Sequence, residues 1–308
     1  MSSPSSFVDL SDLFSPIYWG FVLSLLFGGV SIVQAYFFFL KSKDRLQIKL
    51  LAAFMIILDF IDSGLVAYSI FYFLIPEFGS LFRLSFIPWE LTVECIIASF
   101  ITVISQMYFV YQLIGAKRIG QGRWSVIAVI GILSLISFAG GIACVVSMGI
   151  FKHGVLSNRN RIAFGFSKGF SALADILATI AMCMFLRSAR GHMKQTNSLL
   201  YALMRVIMSR GLLVTFTQTL LVITFYAMPT NLVWMAFHIN VAKLYVNTFF
   251  AMLNTRDHLK EKHLGGTSVQ LSDNSRIRST VYAISQGSPD DLNELEVRIS
   301  SRKAVNSH

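Results

Sequence analysis

Seven blocks of apolar residues, separated by short polar stretches, run along the chain before it turns polar for good at about Asp257. Crossing ~30 Å of hydrocarbon as a helix takes about 20 predominantly apolar residues. The blocks predict helices over 17–40, 48–73, 88–114, 124–150, 163–186, 205–227 and 231–253, with Met228-Pro229-Thr230 as the turn between the last two. The fold class expected is therefore all-α, a polytopic seven-transmembrane-helix bundle.

Basic residues orient it, because Lys and Arg accumulate on the cytosolic side of a membrane. Lys41, Lys43, Arg45 and Lys49 follow the first helix, Lys117, Arg118 and Arg123 the third, and Arg187, Arg190 and Lys194 the fifth, with more in the tail. The opposite side holds only Arg83, Lys152, Arg159 and Arg161. That bias predicts an outer N-terminus and a cytosolic C-terminus. Trp19, Trp89, Trp124 and Trp234 lie near helix starts, where an indole sits well between water and acyl chain. The domain expectation is a short outer segment 1–15, a membrane domain 16–256, and a disordered cytosolic tail 257–308, too polar to repay ordering.

Composition agrees with a membrane protein. The chain is 55% hydrophobic and 14% charged, with mean hydropathy +0.63, against about 25% charged in soluble domains. The net charge of +10 lies between apolar blocks and in the tail, so it reads as membrane flank rather than a nucleic-acid stripe. Cys95, Cys144 and Cys183 fall inside apolar blocks and cannot build an outer-loop disulfide framework. Asp9 and Asp12, with no Lys or Arg among residues 1–15, fit an uncleaved first helix rather than a signal peptide. In the tail, Arg276-Ile277-Arg278-Ser279-Thr280 fits a basophilic kinase motif that is short enough to occur by chance.

The informative residues are polar side chains inside the apolar blocks, each costing about 2.5–3.5 kcal/mol on insertion scales unless compensated. Asp59 and Asp62 lie in the second helix, Asp175 in the fifth and Lys243 in the seventh. Helical spacing puts Asp59 with Asp62, Lys168 with Ser171 and Asp175, and Asn240 with Lys243, Asn247 and Asn254, each set on one face. These stripes must turn from lipid, with Lys243 neutralising one or two of the aspartates; which of them is left open. Glu90 suits a helix start after Pro88-Trp89, whereas Glu94 lies deeper and lines a possible outer mouth with Lys168 and His238. Gly28-Gly29 and Gly140-Gly141 suit close helix approach.

No His-Glu-x-x-His, Gly-x-Ser-x-Gly or phosphate loop is present, so no enzyme, metal or cofactor is expected. Lys243 in the seventh helix raises a retinal Schiff base as a remote alternative, although Ile239 stands where an acid would serve as its counter-ion. The third helix ends Tyr108-Phe109-Val110-Tyr111-Gln112 without an acid–arginine pair, which argues against the common G-protein-coupled receptor classes. A transporter is the runner-up, though no internal repeat is visible.

Lys43-Asp44-Arg45, Leu58-Asp59, Pro88-Trp89 with Val93-Glu94, Ala172-Leu173-Ala174-Asp175, and Ala242-Lys243-Leu244-Tyr245-Val246-Asn247 running to Leu253-Asn254-Thr255-Arg256 form a recognisable set. Over about residues 16–256 the chain resembles a large group of basidiomycete seven-helix membrane proteins assigned to a domain of unknown function. The resemblance implies a multipass fungal protein of receptor-like topology and draws attention to Asp59, Glu94, Asp175, Lys243, Asn247, Asn254 and Arg256. The expectation is thus a receptor-like sensor in a plasma or endomembrane, in contact with membrane lipids, a small-molecule ligand and a cytosolic partner reached through 41–47, 115–123 and 187–204. No nucleic-acid partner is expected.

Overall fold

The computed structural model describes residues 11–42, 44–76, 89–115, 123–151, 158–189, 197–228 and 231–255. Among them the chain forms seven helices and no strand. These are α1 (Ser11–Lys41), α2 (Leu46–Leu74), α3 (Trp89–Gly115), α4 (Arg123–Phe151), α5 (Asn158–Ala189), α6 (Asn197–Ala227) and α7 (233–255). The tail expected over 257–308, Arg256, and the turn residues Pro229 and Thr230 lie outside the described residues.

Each predicted helix is present, but α1, α5 and α6 begin several residues earlier than apolar content suggested. The extra turn of α5 reads Asn158-Arg159-Asn160-Arg161, polar residues that a helix tolerates once it has left the hydrocarbon. Helices α1 to α6, of 27 to 32 residues, reach about 40–48 Å and so project beyond a ~30 Å core. Before α7, the amide of Asn231 donates to the Met228 carbonyl at 3.2 Å.

The bundle is apolar on its outside. On α1 the exposed side chains include Leu23, Leu25, Leu26, Ile32, Val33 and Leu40, whereas Ser24 and Ser31 are buried. Such a surface is an aggregation hazard in water and the required one in lipid. Phe14–Lys41, Leu46–Leu74, Trp89–Ile114, Trp124–Gly149 and Asn160–Ala181 are each long and apolar enough to cross a membrane. The apolar stretch found in α6, Gly211–Ala227, is shorter.

α7 is the most enclosed helix. From His238 to Leu253 every residue but Thr248 is buried, although the run includes Asn240, Lys243 and Asn247. A helix carrying polar groups can be surrounded on all sides only when its neighbours answer those groups. Its hydrogen bonds and ring contacts reach α1, α2, α3, α5 and α6.

The α1–α7 contact has a regular basis. Asn240, Asn247 and Asn254 donate side-chain N–H bonds to the carbonyls of Gly20, Phe27 and Gln34 at 2.8, 3.0 and 2.8 Å. Donors and acceptors both advance by a heptad in the same direction, so α1 and α7 run parallel with their register fixed. Close approach is required at Gly20, where an added Cβ would lie 2.7 Å from the Ala236 Cα.

Two expectations need correction. Trp19, Trp89 and Trp124 are exposed near helix starts, but Trp234 is 3% exposed. It packs edge-on against Phe164 and Phe225 inside the bundle, because it lies on the face of α7 turned toward α5 and α6. Of the two glycine pairs, only Gly140-Gly141 serves close approach, toward Ser167 and Ser99, while Gly28-Gly29 faces open space.

Gly20→Val should destabilise the protein by about 1–3 kcal/mol through overpacking against α7. Gly28→Val should stay within about 0.5 kcal/mol. Thermal unfolding of both variants in detergent checks this, and equal effects would refute the α1–α7 register.

Candidate functional site

Three polar clusters lie along the interior face of α7. The first surrounds Lys243, which is 1% exposed. Its Nζ lies 2.8 Å from Asp59 Oδ1 and 2.9 Å from Asp62 Oδ2. It also donates to the Asp59 carbonyl at 2.9 Å and to Ser63 Oγ at 2.7 Å. Asp59, Asp62 and Ser63 share one face of α2 because they are spaced by one helical turn. Two carboxylates and one ammonium are thus held together away from water, where an unanswered charge would be costly.

The second cluster centres on Asp175. Tyr245 Oη donates to its Oδ2, and Gln106 Nε2 donates to its Oδ1 at 3.0 Å. Ser171 Oγ lies 3.1 Å from Gln106 Nε2 and 3.2 Å from Tyr245 Oη, and Ser105 donates to the Tyr245 carbonyl at 3.2 Å. Among the described residues no ion pair reaches Asp175. Beside it opens a partly enclosed cavity of about 50 Å³ whose lining includes Gln106, Phe109, Asp175, Thr179, Val214, Tyr245 and Met252.

The third cluster lies near the starts of α3 and α7. His238 Nε2 is 3.3 Å from Glu94 Oε2 and 3.7 Å from Cys95 Sγ. The rings of Phe164 and Trp234 wall the imidazole in. Lys168, buried on α5, lies over the Phe164 ring at 5.6 Å and is close enough to Glu94 for their charges to interact. A smaller cavity is lined by Lys168, Ser171 and Gln106 together with Ser99, Ser134, Ser137 and Ser167.

All nine interior residues singled out from sequence are buried: Asp59, Asp62, Glu94, Lys168, Asp175, His238, Asn240, Lys243 and Asn247. They do not form one network. Lys243 joins both aspartates of α2 and leaves Asp175 to Tyr245 and Gln106; Asn240 and Asn247 turn to α1. Gln106, Ser63 and Cys95 were not singled out. A neutral amide, a hydroxyl and a thiol carry no charge cost to flag them, and only their i+3 and i+4 relation to other polar residues hinted at a shared face.

A bundle of apolar-surfaced helices around polar clusters is that of a multipass membrane protein. Over residues 171–258 the chain matches a family of unknown function (DUF6534). That stretch carries Asp175, His238, Lys243, Tyr245 and the asparagine ladder, but not Asp59, Asp62, Glu94 or Gln106. No curated protein and no solved structure matches the chain.

Lys243→Met would leave two buried carboxylates without their cation and should cost about 3–5 kcal/mol, as removal of one member of a buried pair does. Adding Asp59→Asn and Asp62→Asn to the same chain should restore most of that loss. Chemical unfolding in detergent micelles decides it; a triple variant no more stable than the single one would contradict the triad.

Proposed function

We propose that this protein is a receptor-like seven-helix membrane sensor, with its N-terminus outside and its C-terminus cytosolic, that binds a small ligand against Asp175. The observation that carries this reading is the cavity beside Asp175, lined largely by apolar groups and floored by a buried carboxylate with no cationic partner among the described residues. Ligand sites are typically apolar with a few placed polar groups. Room of about 50 Å³ suits a few waters or the head group of a ligand. An amine or other strong donor would answer the carboxylate best.

The parallel run of α1 and α7 supports the seven-crossing topology, since first and last helices of an odd-numbered bundle share a direction. Tyr245 links the cavity to signalling. It holds Asp175 with its side chain, and two residues earlier on the same helix Lys243 binds α2. A ligand that draws on Asp175 would alter the Tyr245 bond and bias the position of α7, provided it favours one arrangement over the other. Cytosolic partners would read that change at the inner loops.

A second reading, a proton- or ion-coupled transporter, draws on the succession of ionisable groups from Glu94 and His238 through Lys168 to Asp175. The closed surroundings of Lys243, Asp59 and Asp62, none more than 3% exposed, favour a sensor over a through-path. Retinal attachment at Lys243 is disfavoured because that ammonium is committed to two carboxylates and lines neither interior cavity.

A thermal-shift screen of amphiphilic amines on detergent-purified protein tests the proposal. A ligand at 100 times its Kd should stabilise the wild type by about 2.7 kcal/mol, and Asp175→Asn should weaken binding at least about tenfold, or 1.4 kcal/mol. Equal stabilisation of both proteins would overturn the Asp175 site, and solute flux in liposomes without any partner would favour the transporter.

A further inference from the structure

Glu94, Cys95 and His238 bring together three kinds of metal-ligating atom that neither the Lys243 triad nor the Asp175 cavity uses. Glu94 and Cys95 are neighbours on α3, while His238 arrives from α7, 143 residues beyond Cys95. Their ligand atoms all lie within 4.8 Å of one another. Glu94 and His238 are 0% and 2% exposed.

The separations fit a tetrahedral ion. Bonds of about 2.0 Å to imidazole or carboxylate and about 2.3 Å to thiolate place nitrogen and oxygen about 3.3 Å apart, and nitrogen and sulfur about 3.5 Å apart. The observed values are 3.3 Å for His238 Nε2 to Glu94 Oε2 and 3.7 Å for the same nitrogen to Cys95 Sγ.

A simple hydrogen-bonded pair explains this less well. A charge-assisted N–H to carboxylate bond closes to about 2.7–2.9 Å, and 3.3 Å is open by comparison. Glu94 Oε1, buried with the rest of that carboxylate, has no hydrogen-bond partner.

We propose that Glu94, Cys95 and His238 form a three-ligand site for a divalent metal ion of the zinc class, with a fourth position open to water or an outer ligand. Thiolate and imidazole select for zinc-like ions over magnesium or calcium. On binding, the Cys95 thiol gives its proton to solvent and the thiolate sulfur takes the metal. Carboxylate and thiolate then match the dication, while Lys168, which acts electrostatically on both, faces a site that carries no excess positive charge. Glu94 and His238 each lie five residues past their helix starts at Trp89 and 233, about 7.5 Å along each axis, which puts the ligand set nearer one end of the bundle than its middle.

The test is Co²⁺ titration of the purified full chain, carrying a tag without histidine. Wild type should bind one equivalent with a thiolate-to-cobalt charge-transfer band that Zn²⁺ abolishes. Cys95→Ser should lose the band. His238→Gln and Glu94→Gln should weaken binding by at least the about tenfold that even outer partners of metal ligands cost. Cys144→Ser, outside the ligand set, should leave both band and affinity unchanged. Helical circular dichroism and a single elution peak establish that each variant is folded before it is scored. A folded wild type that takes up no Co²⁺ above the detergent blank, or a band that survives Cys95→Ser, would overturn the site and leave Glu94 and His238 as a polar pair.

Discussion

Lys243 fixes the rest of the structure. An ammonium in the middle of a helix cannot face hydrocarbon, so α7 must present it to an acid. Asp59 and Asp62 supply two, one turn apart on α2. Once that contact is made, the rotation of α7 about its axis is set. Tyr245 then faces α3 and α5, His238 faces α3 one end nearer, and the asparagines face α1. The asparagine contacts tolerate some variation individually, since each is a neutral hydrogen bond worth about 1 kcal/mol. The triad does not, because every way of breaking it strands a charge.

Rotation alone leaves α7 free to slide, and the asparagine ladder removes that freedom. A heptad shift would move each donor to the next carbonyl but would strip Lys243 from both aspartates; a smaller shift loses both sets of bonds. The two devices therefore specify register jointly, as a polar residue at a packing position does in coiled coils. Close packing at Gly20 against Ala236 makes the same register the one with the best contact.

Much of this was legible in sequence because lipid imposes a harsh rule: apolar length marks each helix and buried charge marks each interior face. Asp59, Asp62 and Lys243 were visible for that reason, and three-residue and seven-residue spacing assigned them to faces. Pairing was not legible, because spacing along one helix says nothing about which helix lies opposite. Asp175 thus went to Tyr245 and Gln106 rather than to Lys243. Trp234 misled for a related reason: closeness to a helix start predicts an interfacial ring only when the residue lies on the outer face, and Trp234 lies on the face turned toward α5 and α6. The early starts of α5 and α6 escaped because hydropathy marks the edge of the hydrocarbon, whereas hydrogen bonding marks the end of the helix.

Concentrating the polar groups on one helix has a dynamic consequence. If the clusters lay on separate helices, a change at one could relax locally. Here Tyr245 and Lys243 are two residues apart on a single rigid element, and His238 is less than two turns away, so a shift of α7 is felt by all three. The ladder to α1 resists sliding, whereas the Asp175 end rests on neutral donors that a ligand can replace. Because Asn240, Asn247 and Asn254 hold α7 to α1 on both sides of Tyr245, the resistance to sliding extends along the helix, whereas the bond from Tyr245 to Asp175 is local.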